Sequence, residues 1–75
     1  MNAYDTASAF NYLFRPGDIL LIQDAFGGKF MDTLTRPARV LGEEPYIELQ
    51  SHRYMVNVAK VVGKFESDPG SRATF

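Results

Sequence analysis

His52 is the residue of this chain best suited to proton transfer near neutral pH, because an unperturbed imidazole titrates there. It is the single histidine, and it lies in the stretch QSHRY at 50–54. A general base needs a nucleophile, a substrate or an orienting partner. Ser51 is adjacent, but neighbours along an extended chain point to opposite faces. His52 is therefore expected to be a polar turn residue beside Arg53. The carboxylates are scattered over Asp18, Asp24, Asp32, Glu43, Glu44 and Glu48. A pair such as Glu43 and Glu44 does acid–base work only where the surroundings split the two pKa values, and an EEP turn leaves both in water. With Cys 0 there is no thiol nucleophile, disulfide or zinc–thiolate site. One histidine also leaves a zinc site short of ligands. The expectation is a non-enzyme with no catalytic residue, metal or cofactor.

The stretch FGGKF at 26–30 invites a phosphate-loop reading, since glycines let backbone N–H groups approach an anion. A P-loop needs wider glycine spacing and a Lys followed by Ser or Thr at the start of a helix. Here Phe30 follows Lys29. A turn accounts for Gly27 and Gly28 through their tolerance of positive φ, but not for the aromatics on either side. Phe26 and Phe30 either pack back on the core or meet a partner. Basic residues recur at Arg36, Arg39, Arg53, Lys60 and Lys64, with Tyr46 and Tyr54 among them. Such interleaving suits single-stranded nucleic acid, an acidic or phosphate-bearing peptide, or simply a solvated outer face. The residues expected to contact a partner are Phe26, Lys29, Phe30, Arg53 and Tyr54.

The elements that must position these residues fit one small domain, residues 1–65, since the chain has 75 residues. The whole chain holds 8 basic and 9 acidic residues, net −1. That balance argues against a generic nucleic-acid binder, whose affinity comes from neutralising phosphates. The aromatic share is 13%, all Phe and Tyr. No apolar run approaches the roughly 20 residues of a membrane span, and MNAYDTASAF lacks the basic start of a signal peptide. With no cysteine, a cytoplasmic location is expected. Residues 66–75, ESDPGSRATF, read as a mobile tail.

DTASAFNYLF at 5–14 predicts a short helix capped by Asp5 or Thr6, with Ala9, Phe10, Leu13 and Phe14 on one face. It must stop near Phe14, ahead of Pro16 and Gly17. An extended arm is the alternative. From Asp18 the period changes. DILLIQD has the length and branching of a buried strand. ARVLG is a second strand, EEP a tight connection, and YIELQ alternates with Ile47 and Leu49 on one side. SH is a hairpin turn. RYMVNV places Tyr54, Val56 and Val58 on one face. AKVVGKF is the last strand, with Gly63 at a bulge or corner. Five short strands at close spacing predict a small antiparallel barrel, whose closure removes exposed edges.

From RPGDILLI through ARVLG, PYIELQ, RYMVNV and AKVVGKF, residues 15–65, this rhythm resembles an SH3-like barrel. That resemblance implies a Pro-Gly-Asp lead-in to the first strand and a long exposed loop, QDAFGGKFMDTLTRP, before the second. ASAFNYLF ahead of five strands is also similar to Sm-like RNA-binding barrels, although no loop here matches the uridine pocket of that family. RNA or DNA binding by a small barrel is thus the alternative function. The whole chain, tiny, cysteine-free and aromatic-rich, resembles small phage proteins that bind bacterial RNA polymerase, blocking initiation and promoting antitermination. That resemblance implies a protein-binding regulator acting in the host cytoplasm.

Overall fold

The computed structural model describes residues 2–66. Its first element, α1 (Ala3–Leu13), is capped one turn earlier than Asp5 or Thr6. The Asn2 side chain accepts from the Asp5 amide at 2.8 Å. An Asx side chain at this position satisfies one of the amides that a helix start leaves unpaired. The buried face of α1 is Ala7, Phe10, Asn11 and Phe14, at i, i+3, i+4, i+7. Ala7 and Phe10 are buried and Phe14 is half-buried, its ring stacked on Phe10 with centroids 4.6 Å apart. Leu13 is 62% exposed and Ala9 is exposed, which corrects two of the four residues expected on this face. The reason is Asn11, a polar residue inside the apolar stripe. Its amide donates to the Ala38 carbonyl at 3.0 Å and its oxygen accepts from the Ala38 amide at 2.6 Å, clamping the helix to the segment before the third strand.

The helix ends at Phe14, in extended geometry, and Arg15-Pro16-Gly17-Asp18 turns the chain. Asp18 N–H donates to the Arg15 carbonyl at 3.0 Å, and Gly17 has φ 99°. Proline followed by a positive-φ glycine is the signature of a type II turn. The Asp18 carboxylate accepts from the Arg15 amide at 2.9 Å.

Six strands follow: β1 (Ile19–Gln23), β2 (Lys29–Thr33), β3 (Arg39–Leu41), β4 (Glu44–Ile47), β5 (Val56–Asn57) and β6 (Val61–Glu66), with a 3₁₀ turn at Val58–Lys60. They form two three-stranded antiparallel sheets, ordered β2-β1-β6 and β3-β4-β5. A bridge between Leu34 and Leu49 ties the end of the first sheet to the second. Leu20, Ile22, Leu34 and Ile47 are fully buried between the sheets, joined by Phe10, Leu49, Val56 and Val58. The fold is therefore mainly β with one helix.

Three sequence expectations change. The long exposed loop contains a strand, since β2 pairs with β1 from Ile19↔Thr33 to Gln23↔Lys29. Its inward residues Phe30, Asp32 and Leu34 alternate properly, but an aspartate in the middle hides the apolar pattern. RYMVNV is strand only at Val56–Asn57, and the next three residues form the 3₁₀ turn. Glu44 and Pro45 belong to β4, so the tight turn is Gly42–Glu43, with Gly42 at φ 65°. The expected alternation of Ile47 and Leu49 appears as burial of both. The pairing of β1 with β6 shifts register on either side of Gly63 and Lys64, as an irregularity there predicts. Glu66 closes β6, so the strand runs one residue into the expected tail; the remaining tail residues lie outside the described ones.

Candidate functional site

The turn between β1 and β2 is held by one carboxylate. Asp24 Oδ1 accepts from the amides of Phe26 at 2.8 Å and Gly28 at 2.9 Å. Its backbone N–H donates to the Gly28 carbonyl at 2.8 Å. Gly27 sits at φ 86°, where a side chain is strained. Gly28 is needed for space, because a Cβ there would lie 2.9 Å from the Asp24 carboxylate. Both glycines and the aspartate thus fix a turn whose tip, Phe26, is 98% exposed. Phe26 is thus a large apolar side chain in water on an ordered turn, not a core residue.

The facing loop, 50–55, is held by a second carboxylate. Asp32 points inward from β2 and is 7% exposed. It accepts from the Thr33 amide at 2.8 Å, from the Ser51 amide at 3.2 and 3.3 Å, and from His52 Nδ1 at 2.6 Å. Burial works to raise its pKa. The hydrogen bonds from Thr33, His52 and Ser51, together with the His52 charge, outweigh it and hold the carboxyl below its usual 3.8. Asp32 is thus ionised at neutral pH, and its Oδ2 accepts the proton carried by His52 Nδ1. The imidazole lies between two aromatics. Its centroid is 4.9 Å from Phe30 and 5.2 Å from Tyr54, the latter edge-on. His52 is accordingly more than a turn residue: Asp32 fixes the ring, and the ring fixes the aromatics beside it.

Between the turn and this loop opens a cleft of about 250 Å³. Ile22, Phe30, Tyr54 and Met55 contribute apolar walls, and Gln23, Asp24, Asn57 and Lys60 the polar lining. The expected contact residues divide accordingly. Phe30 is half-buried, packs against the core and lines the cleft. Tyr54 lines it and is 65% exposed. Phe26 stands apart at the tip of the turn. Lys29 and Arg53, both exposed, flank Phe30 and Tyr54 in the chain. Of the two aromatics, Phe26 faces solvent fully, while Phe30 packs back against the core.

Three of the five recurring basic residues are paired with carboxylates. Arg39 meets Glu48 at 2.7 Å and Arg36 meets the same carboxylate at 3.5 Å. Lys64 meets the buried Asp18 at 3.5 Å. Lys60 alone of the five lines the cleft. Sequence reasoning missed Asp24, Asp32 and Asn11, each of which acts on backbone groups. The Asp24-x-x-Gly27-Gly28 spacing was a readable signal for the first; the partners of Asp32, 19 and 20 residues away, leave no local trace.

Catalysis would need a reacting group at the imidazole. Among the described residues no hydroxyl hydrogen-bonds to His52, and Ser51 contributes its amide to Asp32. No group of three His, Cys, Asp or Glu side chains among the described residues is placed to hold a metal. No described helix is long and apolar enough to cross a membrane. No protein-family model, no curated protein and no solved structure matches the chain.

Proposed function

We propose that this protein is a non-enzymatic binding module that docks on a larger protein through Phe26 and the adjoining Phe30–Tyr54 cleft. The observation that carries the reading is the exposure of Phe26, 98%, on a turn immobilised by two Asp24 hydrogen bonds. A large aromatic carried on a fixed backbone is the kind of anchor in which interface energy concentrates. Its sharpest form is a regulator of phage type that occupies bacterial RNA polymerase and denies that surface to another partner. The Leu34–Leu49 bridge, and the return of β6 onto β1 around one core, support an SH3-like barrel as the rigid frame.

Nucleic-acid binding finds less support. Arg36, Arg39 and Lys64 already hold carboxylates, so fewer cations remain to follow a phosphate backbone. Affinity capture from a bacterial lysate with the tagged full chain, with and without nuclease, tests the reading. Protein components that survive nuclease, with polymerase subunits among them, are expected. Loss of every captured component on nuclease treatment would overturn it.

A further inference from the structure

We propose that the outer face of α1 is a self-association surface, on which a second copy of this chain packs its own α1 antiparallel to the first.

The face differs from that of a solvated helix. Its exposed residues are Tyr4, Asp5, Ser8, Ala9, Tyr12 and Leu13. Their spacing of i, i+1, i+4, i+5, i+8 and i+9 makes one continuous stripe, opposite the buried Ala7 and Phe10. Tyr4 is 72% exposed, Tyr12 82% and Leu13 62%. A surface helix ordinarily turns charged side chains outward, yet Asp5 is the single charge between Ala3 and Leu13. The stripe also lacks the Lys and Arg of a helix that lies on an anionic membrane.

Shape and charge select a second copy as the occupant. The small residues Ser8 and Ala9 occupy the middle of the stripe, and the large Tyr4, Tyr12 and Leu13 its ends. A two-fold axis beside Ser8 and Ala9 brings small against small, so that the two backbones approach closely. Tyr12 of each copy then extends toward the Asp5 turn of the other. The two ends of α1 carry opposite charge. Asp5 stands at the N-terminal end, and Glu43 shares a surface recess there with Asn2 and Tyr4. Among the described residues neither acid meets a cation within salt-bridge distance. Arg15 follows the C-terminal end, is exposed, and meets no carboxylate with its guanidinium. Asp18 accepts from the Arg15 amide but pairs its charge with Lys64. Antiparallel packing sets the acidic end of each copy against the basic end of the other, twice over. Parallel packing sets like charges together.

An 11-residue helix is roughly 16 Å long. The contact therefore buries less than the roughly 1,200 Å² of a standard interface, and the association is weak and reversible.

Sedimentation of the full chain from about 10 μM to about 1 mM covers the corresponding affinity range. The wild type should show a monomer–dimer equilibrium. Ala9→Arg should abolish it. Asp5→Lys and Arg15→Glu should each weaken it by about tenfold, two contacts being inverted at once. An equimolar mixture of those two single variants should regain the wild-type equilibrium, because the reversed charges complement each other across antiparallel copies. All three positions are exposed, so the variants keep the fold. A wild type that stays monomeric throughout would overturn self-association. A dimer untouched by Ala9→Arg would overturn the assignment to α1. A dimer indifferent to the single charge reversals, or a mixture that fails to recover, would overturn the antiparallel arrangement.

Discussion

Asp32→Ala is the substitution that most exposes the logic of the site. It removes the acceptor for three donors: the Thr33 amide at 2.8 Å, the Ser51 amide at 3.2 Å and His52 Nδ1 at 2.6 Å. A hydrogen bond to a charged group contributes about 1.5–3 kcal/mol, and an orphaned buried donor costs a similar amount. The Ser51 bond is long and shared between both carboxylate oxygens, and the variant regains the cost of burying a charge. The expected net loss is about 2–4 kcal/mol. A domain of 75 residues holds roughly 4–11 kcal/mol at the usual stability per residue, so this is a large share. Urea unfolding measures it directly. With a slope of about 1 kcal/mol per molar, the midpoint should fall by about 2–4 M. The pH dependence gives an independent sign. The folded-state pKa of Asp32 lies below its unfolded value near 3.8. Its contribution is therefore complete above that value and is lost as pH falls through the folded pKa. The gap between wild type and variant should narrow below about pH 4. A loss under roughly 0.5 kcal/mol at neutral pH, or a gap that widens on acidification, would refute the reasoning.

Other substitutions separate the roles of neighbouring residues. Leu13→Ala should change stability by less than about 0.5 kcal/mol, while Phe10→Ala should cost about 3–5 kcal/mol; a thermal melt that ranked them in the reverse order would contradict the orientation of α1. Asn11→Ala should cost about 2 kcal/mol by unfastening both polar groups of Ala38, and unchanged urea unfolding would show that the clamp does nothing. Gly27→Ala should cost about 1–2 kcal/mol from its positive φ alone, since nothing lies within 4 Å of the added Cβ. A neutral result in chemical denaturation would mean that the turn readily adopts another shape.

Much of the fold was legible where the physics is local. Ile22, Ile47, Leu49, Val56 and Val58 lie at the inward positions their patterning predicts, and Pro16-Gly17 stops the helix on time. The misreadings of α1 and β2 share one cause. Asn11 and Asp32 occupy inward positions of α1 and β2, where an apolar residue would continue the pattern. Asn11 rotated the expected helix face by about one residue, which put Leu13 inside. Asp32 concealed β2 within an apparent loop. Each tolerates burial only because long-range backbone or ring partners satisfy it, and a single sequence does not reveal partners 20 or 27 residues away. Of the candidate site, the exposed Phe26 and the cleft-lining Tyr54 were visible as residue types. Their mounting by Asp24, Asp32 and His52 was not. Local pattern and tertiary role part company at these residues, as they do at functional sites.

The most direct measurement is a binding titration of the wild type and Phe26→Ser against purified bacterial RNA polymerase, with a melting curve of each variant. Phe26 touches solvent over almost all its surface, so the melting temperatures should coincide. Affinity should fall by about thirtyfold or more, equivalent to the roughly 2 kcal/mol of a hot-spot aromatic. Equal affinity of the two proteins, or no saturable binding by the wild type, would contradict the account.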